Sequence, residues 1–283
     1  MRDTESLCFS PDSIDLRELK LLGQGRTAEV YLFQDRFVIK LFRVNFPKQA
    51  IDNEYIVCRS IGGLLNIPKA HQRLTVDGRD AIIFDFIKGE SGFRHLLRKP
   101  WIVAGFAREF AAIHAKIHST SVPDRVPESK SILIRNINLH DQLPPKAKTK
   151  IIQYLNSLPG GNILCHGDFH PENILVSLGK PFVLDWMTAT RGNPLADVAR
   201  TSVLLKWAEP GPGTPALIKI LLGSIRRKFH GHYLSEYLKL TGARQADVEA
   251  WELPMLAARL MEWLPASEKR VLVTIVNEKL KRF

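Results

Sequence analysis

The stretch Cys165-His166-Gly167-Asp168-Phe169-His170-Pro171-Glu172-Asn173-Ile174-Leu175-Val176, followed by Val183-Leu184-Asp185-Trp186, decides the reading of this chain. It sets two carboxylates and a carboxamide, Asp168, Asp185 and Asn173, around two short apolar runs. Phosphoryl transfer needs a group that orients the attacking hydroxyl and accepts its proton, and oxygen ligands for magnesium bridging the nucleotide phosphates. These three side chains supply both. Residues 174–176 and 182–184 read as strands joined by Ser177-Leu178-Gly179-Lys180-Pro181, a hairpin. Asn173, at the entrance of one strand, and Asp185, at the exit of the other, then share one end. Magnesium favours hard oxygen ligands and keeps several waters, so two protein ligands suffice. Taken singly, Asp168 and Asn173 are also ordinary turn residues, and Asp197 a helix first-turn acid.

The His-Gly-Asp run, four residues, an Asn and an apolar strand ending in Asp resemble the aminoglycoside phosphotransferase and choline kinase-like branch of the protein kinase-like superfamily. The resemblance spans nearly the whole chain, is strongest over residues 163–200, and weakens after Pro210. It implies an α+β, bilobal protein kinase-like fold, with a small antiparallel-sheet N-lobe carrying one helix and a larger, mainly helical C-lobe. By the same resemblance Asp168 is the catalytic base and Asn173 and Asp185 are the magnesium ligands. His166 and Asp197 support the catalytic loop, Asp197 as a buried carboxylate that braces it.

Upstream, Leu21-Leu22-Gly23-Gln24-Gly25-Arg26-Thr27-Ala28-Glu29-Val30-Tyr31 places Gly23 and Gly25 between apolar segments, where backbone N–H groups can approach phosphates. Val38-Ile39-Lys40-Leu41-Phe42 is a strand-like run carrying one lysine, placed as the kinase-like fold places its strand lysine. A lysine in an apolar strand costs desolvation unless paired. Glu54, in a helix-like stretch over residues 49–61, is the candidate partner, with Asp52 nearby as a rival. Two further strands, 71–76 and 81–86, flank the turn signal Asp77-Gly78-Arg79-Asp80. The resemblance makes Asp85, Phe86 and Ile87 the hinge that contacts adenine through its backbone. It divides the chain into a nucleotide-binding lobe, 1–87, and a catalytic and acceptor-binding lobe, 88–283. ATP and Mg2+ are the expected cofactors, with GTP as the alternative nucleotide.

At 283 residues the chain can bury a sizeable core. Three cysteines, Cys8, Cys58 and Cys165, are too scattered for a disulfide framework or a zinc site. Residues 1–5 lack the basic-then-apolar order of a secretory signal and no stretch approaches a membrane span, so the expectation is a cytoplasmic protein with no membrane partner. The formal net charge of +11 raises nucleic-acid binding, but no concentrated patch with interleaved aromatics supports it. The nearest run, Arg226 to Tyr233, fits a solvated helix face. His230 and His232 are two apart on that helix and so point apart, against a shared metal.

Beyond the hinge the period is helical: 102–117, 146–158, 194–207, 214–240, 246–263 and 265–281. Eleven residues separate Asp185 from Asp197. They contain no Ala-Pro-Glu, and Trp186 stands where protein kinases have phenylalanine. This favours a small-molecule hydroxyl as acceptor over a protein. The alternatives are a protein kinase-like enzyme acting on a protein and a nucleotide-binding pseudokinase, whose usual mark, loss of a lysine, base or metal ligand, does not occur here. Residues 194–283 hold fourteen Lys/Arg and nine Asp/Glu, which points to a neutral or anionic acceptor. Glu249, Glu252 and Glu262 converging on the acceptor would reverse that expectation. Trp251, Arg259 and Trp263 are further pocket candidates, each also readable as core or solvated face.

Overall fold

A computed structural model of the chain describes residues 9–11, 14–123, 125–209 and 216–281. In chain order the elements are β1 (Lys20–Gln24), β2 (Ala28–Phe33), β3 (Phe37–Phe42), α1 (Lys48–Ile61), β4 (Ala70–Val76), β5 (Arg79–Asp85), β6 (Glu90–Ser91), α2 (Gly92–Arg98), α3 (Val103–His118), α4 (Ser129–Leu139) and α5 (Pro145–Ser157). They continue with β7 (Ile163–Cys165), β8 (Ile174–Ser177), β9 (Lys180–Val183), β10 (Thr190–Gly192), α6 (Pro194–Trp207), α7 (Ala216–Thr241), α8 (Gln245–Glu249), α9 (Glu252–Arg259) and α10 (Ala266–Leu280). The fold is protein kinase-like, with an antiparallel-sheet N-lobe and a helical C-lobe.

The chain forms two compact units, one of residues up to Gly92 together with Asn173–Thr188, the other of Phe93–Glu172 together with Ala189 onward. The sequence division at residue 87 assigns 173–188 to the second part. In the structure the hairpin leaves that part, because Glu90 and Ser91 of β6 pair with Val176 and Leu175 of β8. Val183 N–H also donates to Asn66 O at 2.9 Å.

In the first unit an antiparallel sheet runs β1-β2-β3-β5-β4. The period-two alternation of a strand puts Phe37, Ile39 and Leu41 of β3 into one core with Phe9, Ile14, Phe33, Val76, Ala81 and Ile83. Lys40 therefore faces the other side, toward α1. That helix buries Ile51, Glu54, Cys58 and Ile61, an i, i+3, i+7, i+10 stripe. The β4–β5 turn is tighter than the sequence suggests. Val76 pairs with Arg79, so only Asp77 (φ +49°) and Gly78 (φ +71°) form it, the two-residue geometry that matches strand twist. The β8–β9 hairpin repeats the device with Leu178 (φ +49°) and Gly179 (φ +77°). Pro181 is accommodated because β9 is the edge of the order β6-β8-β9.

In the second unit α3 packs along α7, and β7 pairs with β10. The expected helix 246–263 is two helices. Pro254 cannot donate an N–H and clashes with the carbonyl four residues back in a continuous helix. The chain therefore turns at Ala250–Trp251 and restarts at Glu252, which places Pro254 in a first turn. α4 has no counterpart among the expected helices. The start of the expected helix 214–240 lies outside the described residues. No helix among the described residues is long and apolar enough to cross a membrane.

Leu178 is fully exposed in a left-handed conformation that costs a non-glycine residue on the order of 1 kcal/mol. Leu178→Asn is expected to raise stability by about 0.5–1 kcal/mol in a denaturant titration, with no change in the functional residues.

Candidate functional site

In the first unit the sheet and the hairpin converge on Lys40. Its Nζ donates to both oxygens of Glu54 at 2.7 and 2.8 Å and to Asp185 Oδ1 at 2.9 Å. The rival acid Asp52 pairs instead with Arg73 of β4. Burial opposes the charge on Lys40, but the carboxylates of Glu54 and Asp185 outweigh it and hold the ammonium above its ordinary pKa. Burial, aided by the like charge of Asp185, pushes Glu54 up to about 6. Against that, Lys40 and the backbone N–H of Trp186 favour its ionised form. The pair is therefore charged at neutral pH.

Asp185 sits at φ +64°, a left-handed conformation uncommon for a residue with a side chain and frequent at functional positions. The short turn after it, Trp186–Thr188, is tied to α1, where Asn53 donates to Met187 O at 3.1 Å. Trp186 itself is buried. Leu184 N–H donates to Asn173 O at 2.8 Å, directly beyond the Ile174–Val183 pair. Asn173 and Asp185 thus lie at the same end of the hairpin, as the sequence suggests. Asp185 keeps one-third of its side chain exposed. Hard oxygen donors on adjacent strand ends, one of them a carboxylate, suit a divalent cation that retains water.

Neither Gly23 nor Gly25 has a positive φ. A Cβ on Gly23 would meet nothing within 4 Å, and one on Gly25 would touch only Ala28 O at 3.6 Å. The fold itself does not require glycine at either place. Gly25 N–H closes the β1–β2 turn onto Ala28 O at 2.8 Å. In the hinge stretch Asp85 N–H donates to Lys69 O and Phe86 N–H to Arg36 O. Those donors are engaged within the protein, which narrows the expected backbone contact to the carbonyls and to Ile87.

In the second unit the loop before Asp168 hangs on Asp197. This carboxylate, buried near the start of α6, accepts His166 N–H at 2.6 Å and Gly167 N–H at 2.9 Å. It also accepts from His114 Nε2 at 3.0 Å and His118 Nε2 at 3.3 Å. Gly167 has φ +79°, a conformation open to glycine at little cost. The two histidines lie four apart on α3 and meet two tyrosines four apart on α7. His114 Nδ1 pairs with Tyr233 Oη at 2.7 Å and His118 Nδ1 with Tyr237 Oη at 2.6 Å. Every member is satisfied if each histidine carries its proton on Nε2 for Asp197 and accepts the tyrosine O–H at Nδ1.

Burial opposes ionisation of Asp197, but the field and N–H of His114, with the N–H of His118, hold it well below the usual carboxylate range. Burial, then the neighbouring His118, lowers His114 to about 4. His114, His118 and Asp197 also have ligand atoms close enough together for a metal. The hydrogen-bond network already accounts for their arrangement. The sequence reading identifies neither these histidines nor these tyrosines. The signal was the i, i+4 spacing on two helices whose histidines and tyrosines lie 119 residues apart.

Asp168 follows this loop, half-buried. Its Oδ2 lies 3.3 Å from His170 Nε2 and its Oδ1 3.5 Å from Arg200 of α6. Burial would raise its pKa, but the His170 hydrogen bond and the charges of His170 and Arg200 hold it below the usual carboxylate range. A carboxylate held ionised in this way can accept a hydrogen bond from a hydroxyl. Arg200 in turn meets Glu262 at 2.5 Å, and Glu262 meets Arg259 at 2.8 Å. Trp251 is core, whereas Trp263 is 90% exposed. Glu252 is buried and paired with Lys206 and Lys279. Glu249 hydrogen-bonds to Gln245 on an exposed face.

Residues 18–228 match the phosphotransferase enzyme family, known as APH. The chain belongs to that family. Comparison with curated proteins finds no match. Among solved structures it is similar to the aminoglycoside phosphotransferase APH(4)-Ia, with a TM-score of 0.65 at 14% identity over 92% of each chain. It is also similar to APH(2″)-IIa in its ternary complex with streptomycin and ATP, with a TM-score of 0.60 at 16% identity over 92% of this chain and 91% of that one. Choline kinase from Cryptosporidium parvum Iowa II gives a TM-score of 0.58 at 16% identity, over 96% of this chain and 91% of the other.

The low pKa of His114 has a defined consequence for stability. A histidine with a folded value near 4 and an unfolded value near 6.5 binds more proton when unfolded. Its contribution is complete above pH 6.5 and is lost as pH falls toward 4, by about 3 kcal/mol. Thermal unfolding across this interval is expected to show the decline, and His114→Gln to reduce its slope.

Proposed function

We propose that this phosphotransferase moves the γ-phosphoryl group of ATP, or of GTP, to a hydroxyl of a small molecule. The observation that carries the proposal is the lysine of β3 held between an acid on α1 and the aspartate ending the β8–β9 hairpin. Burying a lysine with two carboxylates is costly, and such perturbed ionisable clusters concentrate at functional sites. Lys40 is assigned to the nucleotide phosphates and Glu54 to keeping Lys40 aimed. Asn173 and Asp185 are the residues that would hold magnesium, which supplies charge neutralisation on those phosphates when bound. Gly23 and Gly25, unnecessary to the fold, are assigned to close backbone approach to phosphate. Asp85, Phe86 and Ile87 are assigned to the base.

Asp168 is assigned to orient the acceptor hydroxyl and take its proton as transfer proceeds. His166 and Asp197 act through the loop, by fixing the backbone that presents Asp168. Catalysis of this kind is mostly positioning and charge stabilisation. The acceptor is assigned as neutral or anionic, because Asp168 and Glu262 already have guanidinium partners. A polycation would have to compete for those carboxylates.

The decisive experiment is magnesium-dependent ATP consumption against aminoglycosides, choline, ethanolamine, sugars, homoserine and nucleosides. A sugar, hydroxy acid or nucleoside hit that disappears in Asp168→Ala, with ATP binding retained, is the expected result. Efficient use of aminoglycosides alone contradicts the acceptor assignment, and wild-type turnover in Asp168→Ala contradicts the base. Gly25→Ala is expected to leave the melting temperature unchanged and to raise the KM for ATP several-fold, separating a ligand role from a folding role.

A further inference from the structure

We propose that Arg200 is a positioning residue for Asp168, and that Glu262, carried by the connection between α9 and α10, sets its aim. The proposal rests on the assignment of Asp168 as base. Arg200 is nearly buried, with 15% of its side chain exposed, and its guanidinium is used on three edges. One terminal nitrogen faces Asp168 Oδ1 at 3.5 Å, the other meets Glu262 Oε1 at 2.5 Å, and Nε donates to Gly167 O at 3.2 Å. The same side chain therefore contacts the backbone just before Asp168 and the carboxylate of Asp168 itself. Only a planar fork can hold these three directions at once, and a lysine ammonium on a flexible stem cannot.

Glu262 is itself fixed. Its second oxygen takes Arg259 at 2.8 Å, and Arg259 is anchored on the buried Glu268 at 2.6 Å. Glu268 also accepts Glu209 N–H, just beyond α6, at 3.0 Å. The alternating chain Asp168, Arg200, Glu262, Arg259, Glu268 ties the base to α6, α9 and α10. The 3.5 Å approach to Asp168 is the longest of its ion pairs. Arg200 is held mainly from the Glu262 side, at 2.5 Å, and restrains one oxygen of Asp168 from 3.5 Å. Oδ2, the other oxygen, meets His170 Nε2 at 3.3 Å. Glu262 keeps about a third of its side chain exposed and Trp263 beside it is open to solvent. An acceptor that touches this connection therefore bears on the aim of the base.

The test uses full-length protein and MgATP with water as the acceptor, reading phosphate release for wild type, Arg200→Gln, Arg200→Lys, Glu262→Gln and Asp168→Ala. Arg200→Gln and Arg200→Lys are both expected to lower kcat about ten- to a hundred-fold with the KM for ATP within about two-fold of wild type. Glu262→Gln is expected to show a smaller loss of the same kind. Wild-type kcat in either Arg200 variant, or a loss confined to KM, overturns the proposal. If Asp168→Ala keeps wild-type hydrolysis, the assignment of the base fails first. A second reading needs no turnover. In protein labelled with 13C-aspartate, the Asp168 carboxyl resonance, assigned by Asp168→Asn, is expected to titrate at higher pH in Arg200→Gln than in wild type. An unmoved midpoint overturns the proposal even where the variant folds poorly enough to lose activity.

Discussion

Lys40 is the constraint around which the first unit is organised. An ammonium in the middle of a five-stranded sheet, on the face opposite the core of Phe37, Ile39 and Leu41, loses most of its hydration. Taking an ion out of water costs several kcal/mol unless partners are supplied in good geometry. The sheet alone has none to offer at this point. Glu54 comes from α1 and Asp185 from a hairpin nearly 150 residues downstream, at |i−j| of 145. That requirement helps explain why residues 173–188 leave the second unit to complete the first. Removing either acid would leave a buried charge short of a partner, so the cluster is specific as well as costly.

Asp197 has the same part in the second unit. A carboxylate at 3% exposure is tolerable because four N–H groups point at it, two from the loop backbone and two from α3. The outer tyrosines complete the network, so α3 and α7 are registered against each other by polar groups as well as by packing. Phe169 is stacked on Phe110 at 4.0 Å and its carbonyl takes Thr201 Oγ1 at 2.9 Å. The loop that presents Asp168 is therefore fixed on both sides of that residue. For the role proposed for Asp168, geometry fixed in this way means little reorganisation when a hydroxyl arrives.

The parts of this architecture that depend on local signals are legible in the sequence. A single lysine in an apolar run marks Lys40 as the odd residue of its strand, and the glycine-containing stretch 177–181, which the structure narrows to a two-residue turn, joins the strands that bring Asn173 and Asp185 to one end. α6 has the expected bounds because Asn193 caps it, accepting Leu195 N–H, and Pro194 starts it. What depends on distant partners is not legible. Whether Asp52 or Glu54 faces Lys40 is decided by Arg73, which takes Asp52 away. Arg200 reads as an ordinary helix cation until Asp168 and Glu262 are seen beside it. α4 escapes notice because its buried residues, Ser129, Leu133 and Ile137, form a narrow stripe beside the half-buried Ile132 and Ile134 and the exposed Leu139. The apolar period runs on through Pro254, so periodicity alone does not show that a second helix starts just before it.

The role proposed for the Lys40, Glu54 and Asp185 cluster requires that it bind a magnesium nucleotide. Calorimetric titration of ATP into the wild-type protein, with magnesium and with excess EDTA, tests this most directly, alongside Asp185→Asn. One-to-one binding that weakens at least tenfold without magnesium, and loses that dependence in Asp185→Asn, is the predicted result. Equal affinity in magnesium and EDTA, or no binding of ATP or GTP under either condition, would contradict it.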